Sequence, residues 1–124
     1  MSETTSQPCA WLTTLRADGS PHTAPVWFVI HDRVIWVASA ATNVKVRNIA
    51  ADSRVSFAID GSEPEPRVAQ GRAQIHRDLA SFPEAISLLA EKYDGWDVAD
   101  ETTDGPRVLL EISIDRWLLG AEPG

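Results

Sequence analysis

The sequence predicts a mainly β domain: a small antiparallel barrel or sandwich with two short helices. Three observations carry that expectation. Six segments of strand length run through the chain, apolar or alternating in pattern. Most are joined by tight turns rather than long crossovers. Only two stretches, roughly 42–51 and 81–93, read as helices. With 124 residues, the chain is expected to be one domain around one modest core. Its expected limits are 10–119, with a flexible segment 1–9 before it and a tail 120–124 after it.

The elements follow in order. The first strand is 10–16, "AWLTTLR", closed by the hairpin signal Asp18-Gly19. The second is 21–30, "PHTAPVWFVI". Pro21 and Pro25 cannot donate ladder hydrogen bonds, so this strand belongs at an edge or is bulged near Pro25. "HDR" turns into the third strand, 34–39. A helix over 42–51 and a fourth strand over 54–60 come next. The stretch 61–66, "GSEPEP", is a loop. The fifth strand is 67–76, where Gly71 marks a bulge or a close backbone approach. Ser81 and Glu84 have the spacing of a capping box for the second helix, and Phe82, Ile86, Leu89 and Tyr93 share its apolar face. A polar loop, 94–105, leads to the sixth strand, 107–114, in which Val108, Leu110, Ile112 and Ile114 alternate with Leu109, Glu111 and Ser113.

Composition narrows the function. The formal net charge is -7 and the sequence pI about 4.8, which argues against nucleic acid as a partner. No apolar run approaches the ~20 residues of a membrane span. The opening "MSETTSQPCAW" lacks the order of a signal peptide, which predicts a cytoplasmic protein. Cys9 is the single cysteine, so no internal disulfide forms. His22, His31 and His76 have no ligand-like spacing and predict no metal site. No nucleophile elbow is present, and the acids of 94–104 read as a solvated loop. No side chain is assigned as a catalytic acid, base or nucleophile. If the protein is an enzyme, a cofactor supplies the chemistry.

One stretch stands out in this acidic chain: 39–48, "SAATNVKVRN". Lys45 and Arg47 fall at the start of a helix, where free N–H groups carry partial positive charge and cations are disfavoured. With Thr42 as N-cap, Asn43, Val44 and Lys45 fill the first turn and present a phosphate-type anion site. Lys45 shares the face of the cap and is the expected phosphate contact. Arg47 lies about 200° away from Lys45 and is a second contact or an interface residue. Val46, Ile49 and Ala50 are expected to pack inward. The alternative is two solvated cations on a surface helix. The second candidate is "PVWF", 25–28. Alternation puts Pro25 and Trp27 on one face and Val26 and Phe28 on the other. Trp27 is suited to wall a planar ring, or else to sit in the core or a dimer interface. Trp11, Trp27, Phe28 and Trp36 together exceed what so small a core can hide, which predicts a second subunit or a flat ligand.

These pieces together resemble the flavin-reductase-type split-barrel proteins related to pyridoxamine 5'-phosphate oxidase, and within them the branch that uses the deazaflavin coenzyme F420. The resemblance is carried by "LTTLRADGSPHTAPVWF" (12–28), "IWVAS" (35–39), "NVKVRNIAADSRVSF" (43–57), "GRAQI" (71–75) and "RVLLEISIDRW" (107–117). It implies a six-stranded antiparallel split β-barrel of the FMN-binding type and a homodimer with two cofactor sites at the subunit interface. It places the cofactor phosphate near Lys45 and its neighbours, among them Ser39, Thr42, Asn43, Val44 and Arg47. It places the ring against Pro25, Val26 and Trp27. The sequence departs from many deazaflavin-binding relatives at Asn43, where they carry Arg, and in having too few residues before the first strand for the helix usual there. The activity implied is hydride transfer from the deazaflavin to a small unsaturated or quinone-like molecule. FMN in the same fold is the alternative cofactor, and Lys45 does not discriminate the two. Arg16, Arg54 and Arg72 are candidates for the acidic tail of F420. A non-catalytic carrier of the coenzyme is the alternative of a different class.

Overall fold

A computed structural model describes residues 8–59, 66–103 and 105–119. The expected segment 1–9, loop 61–66 and tail 120–124 lie wholly or largely outside them. The elements are β1 (Ala10–Leu15), β2 (Pro21–Val26), β3 (Phe28–His31), β4 (Val34–Ala40), α1 (Val44–Ala51), β5 (Arg54–Ile59), β6 (Arg67–His76), a 3-10 turn (Leu79–Ser81), α2 (Pro83–Lys92) and β7 (Arg107–Leu119).

The mainly β expectation holds, with one correction: there are seven strands, not six. The segment expected as a single strand over 21–30 is broken at Trp27. Val26 pairs with Ala10 of β1, whereas Phe28 pairs with Val37 of β4. The backbone changes partners at Trp27. The sheet order is β2-β1-β5-β6-β7-β4-β3, all antiparallel where paired, so β2 and β3 are its two outer strands. One residue joins two opposite edges, so the sheet must curl until they meet. This is a barrel split at Trp27.

Local chemistry explains the turns. Gly19, at φ 86°, closes the β1–β2 hairpin as Asp18-Gly19 predicts. Asp32 and Arg33 both take positive φ in the β3–β4 turn, which matches the twist of the flanking strands. Gly71 meets both expectations. The β6–β7 register shifts between Gln70 and Gly71, and a Cβ there would collide with the Ser113 carbonyl oxygen.

The helices correct three expectations. A turn closed by Asn43 N–H on the Ala40 carbonyl, at 3.1 Å, takes up Ala41 and Thr42. The N-cap is therefore Asn43, not Thr42, and no side chain caps it. The buried arc of α1 comprises Lys45, Val46, Asn48 and Ile49, and Ala50 falls outside it, exposed. The Ser81–Glu84 capping box does not form. Pro83 lacks an N–H and takes the first helical position, so Phe82 is the cap and Ser81 donates to Asp78 Oδ2 instead.

Two cores result. Inside the curl, Leu12, Phe28, Ile35, Phe57, Leu110 and Ile112 pack with Val46 and Ile49 of α1. Outside it, Leu89 and Ala85 of α2 cover Val29 and Leu109, joined by Val98 of the following loop. The second core takes in Trp36, half-buried, and Phe28 is wholly inside the first. Trp11 and Trp27 remain 45% and 43% exposed, so part of the aromatic bulk is left over, as expected.

Candidate functional site

Between α1, the outer face of β4 and the crossover at Trp27 lies a cavity of about 490 Å³, within the usual range for small-molecule sites. Pro25, Val26, Trp27, Ser39, Asn43 and Lys45 line it, so six of the nine residues singled out from sequence meet in one place. Thr42, Val44 and Arg47 are exposed and lie outside its wall. The remaining walls are Ala38, Ala40, Trp96 and Arg107.

Each wall has a local cause. Ala38 and Ala40 alternate with Ser39 on β4, and their small side chains leave the outer face open. Ser39 is buried, and its hydroxyl donates to the Ala40 carbonyl at 3.1 Å. Trp27 projects from the crossover, stacked flat on Tyr93 with centroids 4.3 Å apart. Trp96 stands edge-on to Trp27 at 5.0 Å. The loop that carries Trp96 reads as solvated from sequence, but Val98 within it is fully buried. Arg107 Nη1 braces that loop by donating to the carbonyls of Val98 at 3.0 Å and Asp100 at 2.8 Å. Its guanidinium lies 5.2 Å from the Trp96 ring.

Lys45 supplies the electrostatics. It is the second residue of α1 and only 8% exposed. Among the described residues it makes no hydrogen bond and no ion pair. Burial without a counter-charge holds its pKa below the usual lysine value. The first turn of α1 contains no acidic residue. The Val46 N–H already bonds the Asn43 carbonyl at 3.0 Å, so the positive potential at this end of the cavity comes chiefly from the ammonium. Aromatic rings wall the other end. Among the described residues no carboxylate, thiol or imidazole lines the cavity and no metal-binding cluster occurs. Such a site suits a planar ligand with an anionic group.

Sequence reasoning missed Ala38, Ala40, Trp96 and Arg107. A tryptophan inside a polar loop was the one available signal, since a solvated loop has no need of a large ring.

A relative in Mycobacterium tuberculosis (strain CDC 1551 / Oshkosh), a biliverdin reductase dependent on reduced coenzyme F420, is 28% identical over 116 residues, covering 91% of this chain and 80% of its own. A conserved hypothetical protein of Mycobacterium tuberculosis has the same fold, with a TM-score of 0.72, 25% identity, and coverage of 88% of this chain and 74% of its own. A solved F420 reductase aligns with a TM-score of 0.69 at 23% identity, covering 90% and 89% of the two chains. The family model described as pyridoxamine 5'-phosphate oxidase matches residues 2–119. The chain therefore belongs to the pyridoxamine 5'-phosphate oxidase family of split barrels.

Proposed function

We propose that the protein is an oxidoreductase that binds coenzyme F420 and uses its reduced form to reduce a small unsaturated or quinone-like molecule. One observation carries the reading: a buried lysine with no counter-charge shares a cavity with an exposed tryptophan. That combination fits a ligand with a phosphate and a planar ring. The similarity to F420-dependent reductases supports the deazaflavin over other ring systems.

In this reading Lys45 and the first-turn N–H groups of α1 hold the phosphate, and Asn43 lies beside it. Trp27, Pro25 and Trp96 wall the ring. The coenzyme, when bound, supplies the hydride from its C5 carbon. The chain's own contribution is to fix ring and substrate against each other. Hydride addition would leave the substrate an anion, and the proton that completes the reduction would come from solvent reaching the open side of the site, where Trp27 is exposed.

The partner in solution is a second copy of the chain. Trp11, Trp27, Val44 and Leu118 are large apolar side chains left in solvent, and a second subunit would cover part of them. FMN also presents a phosphate and a ring, so it is the competing cofactor. The decisive experiment identifies, by absorbance and mass, the ligand that co-purifies from a host making both, followed by titration of each cofactor into stripped protein. Tighter F420 binding is expected. FMN bound tenfold more tightly, about 1.4 kcal/mol, overturns the assignment. Binding of F420 without turnover of any unsaturated or quinone-like substrate would make the protein a carrier instead.

A further inference from the structure

The helix α1 has eight residues, too few to hold a fixed orientation by propensity alone. Its packing must set how it is turned about its own axis. Val46 and Ile49 join the inner core, but apolar contacts tolerate rotation. A second buried row, Lys45 and Asn48, lies three residues apart on one side of the helix. Asn48 is 8% exposed, and its Nδ2 donates to Thr14 Oγ1 at 3.0 Å. Thr14 is wholly buried on the inward face of β1. This is the side-chain hydrogen bond that joins α1 to the barrel among the described residues. His22 faces Thr14 across the β1–β2 ladder, yet its buried Nδ1 has no partner. A buried amide that loses its bond is strongly disfavoured, and the bond is directional. Turning α1 would break it.

We propose that Asn48 is a positioning residue: bonded to Thr14, it fixes the rotation of α1 that aims Lys45 into the cavity. The geometry stands on its own, and only its consequence for the coenzyme rests on the function proposed above. Lys45 precedes Asn48 by just under one turn, so a rotation that releases the amide swings the ammonium toward solvent.

The chain has two lysines, which makes the test direct. Protein labelled with 13C-lysine shows one signal from Lys45 and one from Lys92, and Lys92 lies on α2, away from the bond. Three variants are compared: Thr14→Val, Thr14→Ser, and the pair Thr14→Val with Asn48→Leu. The pair leaves no orphaned amide, so it folds even where Thr14→Val does not. In Thr14→Val or the pair, the Lys45 titration should rise to the ordinary lysine range and the Lys92 titration should stay put. F420 affinity should fall at least tenfold. Thr14→Ser keeps the hydroxyl and should behave as the parent. If Lys45 titrates unchanged in both disrupted proteins, or if both lysines shift together, the proposal is overturned. If Lys45 alone shifts and F420 binding does not, Asn48 stands as the positioning residue and the assignment of Lys45 to the coenzyme falls.

Discussion

The amino end of α1 and the carboxyl end of α2 both reach the crossover at Trp27, and each brings one of the chain's two lysines. Their surroundings differ. Lys92 sits at a helix C-terminus, where the dipole favours a cation. Its Nζ donates to the Phe28 carbonyl at 2.9 Å and lies 3.7 Å from the Phe28 ring centroid. Beside it, Tyr93 accepts the Phe28 N–H at 2.9 Å and lies flat under Trp27. Lys92 and Tyr93 thus satisfy the backbone groups that point out of the sheet where the strand changes partners. At the other end, Lys45 sits at a helix N-terminus, buried and without any such partner. A buried cation by itself says little about function. Among the described residues neither lysine pairs with a carboxylate: Lys92 is held by a carbonyl and a ring of the fold, whereas the contact proposed for Lys45 is with a ligand.

Breaking the satisfied end should have the largest effect on folding. Tyr93→Ala removes the stack under Trp27 and the bond to Phe28. It should cost about 3 kcal/mol of stability, in the range for truncating a packed aromatic, read by chemical denaturation. If the variant is as stable as the parent, α2 does not hold the crossover.

The unanswered end should respond in the opposite way. Lys45→Ala is expected to weaken F420 binding by roughly 10- to 150-fold, about 1.5–3 kcal/mol for a lost charge-assisted hydrogen bond. The melting temperature of the ligand-free protein should hold or rise slightly, because a desolvated cation leaves the helix start. A large drop in melting temperature with unchanged affinity would make Lys45 structural and erase the contrast.

Titration sharpens the comparison further. Burial pushes Lys92 down to about 8, against about 10.4 for a free lysine. Between those values the unfolded chain binds more protons than the folded one, so stability should rise with pH across that window. Burial also pushes the Tyr93 hydroxyl up to about 12, against about 10 unperturbed. There the folded chain holds the extra proton, and stability should fall as pH climbs above about 10. Thermal unfolding from pH 7 to 11 should therefore show a maximum near pH 10, with a rise of roughly 1–2 kcal/mol before it. Lys92→Met should reduce the rising limb and leave the part that Lys45 contributes, since burial lowers its pKa as well. Ligand binding should run the other way, since affinity falls as Lys45 loses its proton. An affinity that is flat or increases with pH contradicts the role given to Lys45.

The smallest effect is expected at Arg47, which is exposed and outside the cavity wall. Arg47→Ala should change affinity and stability by less than about 0.5 kcal/mol, as is usual for surface sites. A loss as large as that of Lys45→Ala would show that the ligand reaches across α1.

Much of this molecule can be read along the chain, because alternation, turn residues and dipole conflicts are local. Period-two burial marks the strands. Asp18-Gly19 marks the first hairpin, and Gly71 marks a close approach of β6 to the β7 backbone. Lys45 is conspicuous because it opposes the dipole of its own helix. Pro25 and Trp27 are exposed and Val26 and Phe28 buried, as alternation requires. That same regularity hides the break at Trp27. The burial pattern passes through it undisturbed, and a change of hydrogen-bonding partner leaves no mark on side-chain period. The start of α1 shifted by one residue because a turn to Ala40 came first. Trp96 and Arg107 reach the cavity from distant stretches of chain, held by Trp27 and by loop carbonyls that no local pattern brings near. Local order follows from steric and dipolar preferences within a few residues. The cavity depends on how the curled sheet brings remote side chains together, and that is decided only when the edges of the barrel meet.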